Sequence, residues 1–111
     1  MKFTKNSYRP LPDYLELRQS DIEGIGLFTT EDIKAGTYMG VTHVLEVGRD
    51  TYIRTPLGGF INHSENPNCF LFSNHHYPKG EQRELFAIRP IKAGEEITCF
   101  YVWGYQQEAE L

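Results

Sequence analysis

Basic side chains are in the minority, with 11 Lys and Arg against 15 Asp and Glu for a formal net charge of −4. Nucleic-acid binding is driven by counterion release and needs clustered cations, so this balance excludes a protein whose main task is to neutralise phosphates. It suits a basic peptide as partner, although −4 is also an ordinary solubility charge. Cysteine is sparse as well. Cys69 and Cys99 lie in apolar stretches without Cys-x-x-Cys spacing, which argues for buried free thiols and against a zinc knuckle or disulfide scaffold. No apolar run approaches the roughly 18 residues of a membrane span, and none follows the charged start Met1-Lys2-Phe3-Thr4-Lys5 as a signal sequence requires. The expectation is a soluble intracellular protein, cytoplasmic or nuclear, with neither nucleic acid nor membrane as partner. At 111 residues there is room for a single core and no second domain.

Helical spacing of apolar residues is also missing. The 10 Gly and 6 Pro punctuate short apolar runs, several rich in β-branched and aromatic residues, which predicts strands over residues 14–19, 26–30, 38–47, 51–54, 69–72, 84–89 and 96–101. Residues 73–82 carry turn-forming types without alternation and read as a surface loop. The adjacent His75 and His76 in it have no carboxylate or thiol at ligand spacing, so no metal site is expected. One internal echo is present: Leu27-Phe28-Thr29-Thr30-Glu31-Asp32-Ile33-Lys34-Ala35-Gly36 recurs 58 residues later as Leu85-Phe86-Ala87-Ile88-Arg89-Pro90-Ile91-Lys92-Ala93-Gly94. Each copy reads as a strand and a Lys-Ala-Gly turn, so the two predict similar β-corners packed in one compact domain.

Three stretches carry chemistry. Gly24-Ile25-Gly26-Leu27-Phe28-Thr29 starts like a dinucleotide fingerprint, but Thr29 stands where the third Gly belongs and a strand follows, so the Rossmann reading fails. What survives is a glycine pair that lets a ligand approach the backbone, or a simple tight turn. In Phe60-Ile61-Asn62-His63-Ser64-Glu65-Asn66-Pro67-Asn68-Cys69, amide and imidazole groups crowd between apolar flanks where polar atoms must find partners. A loop rich in Asn and Pro is the plain alternative, and a Cys69 and His63 nucleophilic pair is a further one, although no oxyanion hole is evident. Glu95-Glu96-Ile97-Thr98-Cys99-Phe100-Tyr101 closes the set, with aromatic packing as its ordinary explanation.

In order, Gly24-Ile25-Gly26, Tyr38-Met39-Gly40, Asn62-His63-Ser64 with Asn66-Pro67-Asn68, and Glu96-Ile97-Thr98-Cys99-Phe100-Tyr101 resemble the SET-domain protein lysine methyltransferases over residues 14–105. The resemblance implies a mostly β fold of several small antiparallel sheets, with little helix and a pseudo-knot-like C-terminal crossing. It implies one minimal SET domain across residues 1–111, like that of small viral or microbial proteins, without the zinc domain that follows many members. The implied reaction moves a methyl group from S-adenosylmethionine, leaving S-adenosylhomocysteine, to a lysine ε-amine of a basic protein or peptide, a histone-like one included. No metal is implied. By the same resemblance Glu23, Ile25, Gly26, Phe60, Asn62, His63, Tyr101 and Trp103 would hold the cofactor. Tyr101 and Tyr38 would be catalytic, and Tyr38, Leu71, Cys99 and Tyr105 would line the lysine channel. The segment between Val47 and Gly59 is shorter than the family's usual insert, so a homodimer lending a groove wall is expected. The competing expectation is a non-catalytic SET-like binding module.

Overall fold

The computed structural model describes residues 10–46, 52–76 and 80–100. Among them run β1 (Leu15–Gln19), β2 (Ile25–Thr29), β3 (Tyr38–Glu46), β4 (Ile53–Arg54), β5 (Asn62–His63), β6 (Cys69–His76), β7 (Gly80–Ala87) and β8 (Thr98–Cys99), with a 3-10 turn at Pro56–Gly58. β1 and β2 form an antiparallel pair, β4-β3-β7-β6 a four-stranded antiparallel sheet, and β5 and β8 a short pair. The mostly β expectation holds, with one refinement: β5 and β8 run parallel, Asn62 facing Thr98 and His63 facing Cys99. Among the described residues no helix is long and apolar enough to cross a membrane.

Alternation explains the central sheet. Along β7, Arg83, Leu85 and Ala87 are buried while Glu84 and Phe86 turn to the other face. Leu27, Leu85, Ile91, Ile97, Cys69 and Cys99 make the heart of the core, with Met39 and Ile33 around them. At the polar end of the sheet the fully buried Arg83 lies 3.8 Å over the Tyr52 ring, and Tyr52 donates to Glu81. A register shift between Val41 and His43 lets consecutive residues Thr42 and His43 both point inward there.

The loop expected at residues 73–82 is corrected. β6 continues to His76 and β7 starts at Gly80, with Ser73 opposite Arg83 and Asn74 opposite Gln82. The antiparallel ladder pairs Ser73 and Asn74 with β7, and that pairing outweighs their local turn preference.

The echoed segments are bound to each other. Ile33 and Ile91 exchange both backbone hydrogen bonds, at 2.7 and 2.9 Å. The Gly36 amide donates to the Ala87 carbonyl and the Gly94 amide to the Thr29 carbonyl, each at 2.7 Å, and these are corresponding positions of the two copies. The repeat is therefore a local two-fold in which each corner completes the other's turn. Gly36 and Gly94 sit at φ +86° and +93°, and a Cβ at either would meet nothing within 4 Å. Only the left-handed conformation requires glycine there. Gly36→Ala and Gly94→Ala are each expected to lower unfolding stability by about 1 to 2 kcal/mol, nearly equally, as measured by urea denaturation.

Candidate functional site

The densest polar cluster joins three stretches far apart in sequence. The β1–β2 turn is closed by the Ser20 amide donating to the Gly24 carbonyl at 2.8 Å, which turns the Ser20 hydroxyl back toward the Ile22 and Glu23 amides, at 2.9 and 3.3 Å. Glu96 faces Phe28 as an antiparallel bridge partner, and its neighbour Ile97 donates to the Leu27 carbonyl at 2.7 Å. This places the Glu96 carboxylate over Gly26, where a Cβ would lie 2.2 Å from Oε2. The Ser20 hydroxyl donates to that carboxylate, 2.7 Å from Oε1 and 2.9 Å from Oε2. From β5, the Asn62 Nδ2 donates into the same group, 2.8 Å from Glu96 Oε2 and 3.0 Å from both Ser20 Oγ and the Glu23 carbonyl.

Asn68 anchors Glu96 from below. Buried to 3% exposure, it donates from Nδ2 to the Glu96 carbonyl at 2.8 Å and accepts the Thr98 amide at 2.9 Å. Its own amide reaches Thr98 Oγ1 at 3.3 Å, and its carbonyl accepts from the Ile88 amide at 2.9 Å. The amide side chain thus acts as a rung on the side of this segment turned away from β2. Beyond it, β8 pairs with β5, and the Ser64 amide donates to the Cys99 carbonyl at 2.9 Å. The chain leaves Cys99 beside Asn62 and His63, the latter with its ring 5.0 Å from that of Phe100.

The nucleophilic-thiol alternative does not survive. Cys69 is 1% exposed with Sγ 3.8 Å from Met39 Sδ, whereas His63 is exposed and packs on Phe100. Burial pushes the Cys69 thiol up to about 12, with Arg89 acting in the opposite direction, and burial followed by the nearness of Cys69 raises Cys99 as well. A thiol whose folded pKa is raised contributes stability in full below its ordinary value of 9.0, and that stability is lost as pH climbs through and above it. Urea midpoints are therefore expected to fall above pH 9, by on the order of 1 kcal/mol per pH unit for each thiol, and the fall should flatten in a Cys69→Ala, Cys99→Ala double variant.

Tyr38 is half exposed on the face of the sheet that carries Phe86, Phe70 and Phe72; its ring lies 5.2 Å from that of Phe86, which stacks on Phe70 at 5.4 Å. Partial burial and then the nearby Glu84 raise its pKa, so the phenol stays neutral. Leu71, two positions along β6 from Cys69, packs with the core on the opposite face.

A family model described as SET domain matches residues 47–102. The chain belongs to the SET-domain family. It is similar to a histone-lysine N-methyltransferase specific for H3 lysine 36 from Emericella nidulans, 34% identical over 92 residues that cover 81% of this chain and 8% of the relative. It also resembles the histone-lysine N-methyltransferase MEDEA of Arabidopsis thaliana, 30% identical over 115 residues, with 78% of this chain and 16% of the relative covered. The alignment to trithorax of Drosophila virilis, 28% identical with 94% of this chain and 3% of the relative covered, runs over 137 residues, so the relative carries residues inside the matched span that this chain lacks. A solved structure from Plasmodium falciparum, described as a candidate histone methyltransferase, superposes with a TM-score of 0.68 at 17% identity, covering 82% of this chain and 95% of that one, and supports the fold. The chain spans a small fraction of the length of these curated relatives.

Within this SET domain the expected cofactor residues Glu23, Gly26 and Asn62 meet in one cluster. Ile25, Phe60 and His63 are exposed beside them in sequence. Tyr101, Trp103 and Tyr105 lie outside the described residues. Ser20, Glu96 and Asn68 were not singled out from the sequence. The signal for Glu96 was its place opening the Glu-Ile-Thr stretch, whereas an isolated Ser before a turn carried none. The residues present fit a ligand with an ammonium and no phosphate: the cluster offers a carboxylate, a carbonyl and an amide, and the β1 cation Arg18 is engaged by Glu16 at 3.0 Å and lies over the Phe28 ring.

Proposed function

We propose that this SET domain is a protein-lysine N-methyltransferase, with S-adenosylmethionine as donor and a lysine of a basic, histone-like protein as acceptor. The observation that carries the reading is the convergence of Gly26, Asn62 and Glu96 beside the β5–β8 pair, because the segment leading to Tyr101 leaves that pair next to Asn62 and His63. When bound, the cofactor supplies an electrophilic methyl group on a sulfonium. The cluster holds its polar end, and exposed Ile25 and Phe60 offer apolar surface for the rest.

The protein's task at the acceptor is to present a neutral amine. A lysine with pKa near 10.4 is protonated at neutral pH, and freeing its lone pair costs about 4 to 5 kcal/mol. Apolar and aromatic walls favour the neutral form. In this reading Tyr38 lines the channel, with Phe86 packed on its ring, and Glu84 attracts a basic peptide to that face. Tyr101 orients the amine through its hydroxyl, Trp103 covers the adenine, Tyr105 completes the channel, and Cys99 and Leu71 back it from the core. No general-base carboxylate is assigned.

The reading includes a second subunit that replaces the groove wall the short insert omits, with exposed Phe70 and Phe72 as apolar surface for it. Sedimentation velocity tests this part: a dimer at working concentration is expected, and a monomer overturns it. The reaction itself is tested by methyl transfer from labelled S-adenosylmethionine to candidate basic proteins, with product lysines identified by mass spectrometry. Cofactor binding without transfer to any protein would favour a binding module.

A further inference from the structure

The β1–β2 pair carries a completed arrangement of carboxylate, ring and guanidinium. Glu16 stands opposite Phe28 in the register and Arg18 follows Glu16 on the same face; Arg18 Nε lies 3.0 Å from the Glu16 carboxylate, and the guanidinium lies 4.6 Å over the Phe28 ring. The outer face of the central sheet repeats two of the three groups. Glu84 stands opposite Phe72 on β6 and Val41 on β3, Phe86 follows it on the same face, and Tyr38 packs against Phe86. Where β1 continues with Arg18, β7 continues with Phe86, and among the described residues no Lys or Arg pairs with Glu84. Its hydrogen-bond partner there is the Asn74 Nδ2, at the long distance of 3.4 Å. Half-buried among rings, the carboxylate has lost part of its water without gaining a cation.

We infer that Glu84, Phe86 and Tyr38 form a docking site for an arginine side chain of the basic partner protein, in addition to the lysine that is modified. This rests on the reading above of a basic protein as acceptor, and adds to it a second recognised residue and the groups that recognise it. The guanidinium lies on the exposed aromatic surface and turns an N–H edge to Glu84, supplying the member that Arg18 supplies on β1–β2. Its flat, weakly hydrated cation stacks on rings at a lower desolvation cost than a compact ammonium, which favours arginine over lysine here. Tyr38, Phe86 and Phe70 form one row across the sheet, with Phe86 in the middle. A second subunit seated on Phe70 and Phe72 therefore leaves the β3 side of Glu84 and Phe86 open.

Two-dimensional amide NMR of the isotope-labelled full chain, titrated with the capped tripeptides Ala-Arg-Ala, Ala-citrulline-Ala and Ala-Lys-Ala, tests the inference. Citrulline keeps the shape of arginine and removes its charge. The arginine peptide should shift the amides of Tyr38, Val41, Glu84 and Phe86, and at these amides bind about fivefold or more tightly than the citrulline and lysine peptides. Glu84→Gln should abolish the preference for arginine over citrulline, and Phe86→Leu should weaken the arginine peptide about threefold or more. The spectrum of each variant shows whether it is folded, and Glu84→Gln, a half-buried isosteric change, carries the result if Phe86→Leu is not. Equal binding of arginine and citrulline, shifts centred on another face, an undiminished preference in Glu84→Gln, or no binding at all overturns the inference. The arginine and citrulline peptides contain no acceptor lysine and the titration contains no S-adenosylmethionine. An arginine preference in a protein that transfers no methyl group therefore keeps the docking site and overturns the reaction, whereas methyl transfer without the preference does the reverse.

Discussion

Gly26→Ala should cost the protein at least tenfold in affinity for S-adenosylmethionine, and far less in stability. The added Cβ would lie 2.2 Å from Glu96 Oε2 and 2.8 Å from its Cδ, with Ser20 Cβ at 3.0 Å. The main chain on either side is fixed by register, Arg18 opposite Gly26 and Leu17 opposite Leu27, so the strand does not yield. The end of the Glu96 side chain yields instead, and it abandons Ser20 and Asn62 as it moves. Losing one or two charge-assisted hydrogen bonds that hold a binding group is worth about 1.5 to 3 kcal/mol, or roughly tenfold to a hundredfold in binding. The methyl itself needs only that shift, so the urea midpoint should move little. Titration calorimetry beside urea denaturation separates the two quantities, and a large stability loss with unchanged affinity would contradict the contact as described.

Asn68→Ala should act in the opposite proportion, lowering stability by about 2 to 4 kcal/mol. The side chain is buried and bonds to the Glu96 carbonyl, the Thr98 amide and the Thr98 hydroxyl. Truncation leaves the Glu96 carbonyl and the Thr98 amide without this partner in a place that water does not readily reach, and each such loss costs about 1 to 3 kcal/mol. Asn68→Asp keeps the acceptor for Thr98 but turns an oxygen toward the Glu96 carbonyl, so it should not rescue. Because residues 96–99 carry both Glu96 and β8, partial opening of this segment should also weaken cofactor binding. Urea denaturation of both variants checks the ranking.

The contrast between these residues shows where the sequence could be read. Short apolar runs rich in β-branched and aromatic residues made β1, β2, β3 and the second half of β7 recognisable, and the repeated Lys-Ala-Gly turn foretold two similar corners, which share their hydrogen bonds. The order of Gly24-Ile25-Gly26, Asn62-His63 and Glu96-Ile97-Thr98 points to the family, and the fold brings all three together. What could not be read was contact across long separations. That Glu96 caps Gly26 depends on the Phe28 and Glu96 bridge, a register between segments 68 residues apart in number that no local pattern encodes. β5 is two residues long, too short for alternation to register, and its parallel partner lies far along the chain. Residues 73–76 looked like a loop because Ser and Asn favour turns in isolation, while their strand state comes from β7 alongside. Tyr38 and Leu71 stand on opposite faces of the central sheet, a placement that the pleat decides and the order of motifs does not.

The central claim, lysine methylation with S-adenosylmethionine, is tested most directly by one comparison. The parent and Tyr101→Phe are each incubated with labelled S-adenosylmethionine and a panel of basic proteins that includes histones, after calorimetry has measured cofactor binding by both. The prediction is label on lysine with the parent, a loss of about a hundredfold or more in rate with Tyr101→Phe, and cofactor affinity in the variant within about threefold of the parent. Label transfer that is indifferent to Tyr101→Phe, or a parent that neither binds the cofactor nor labels any protein, would contradict it.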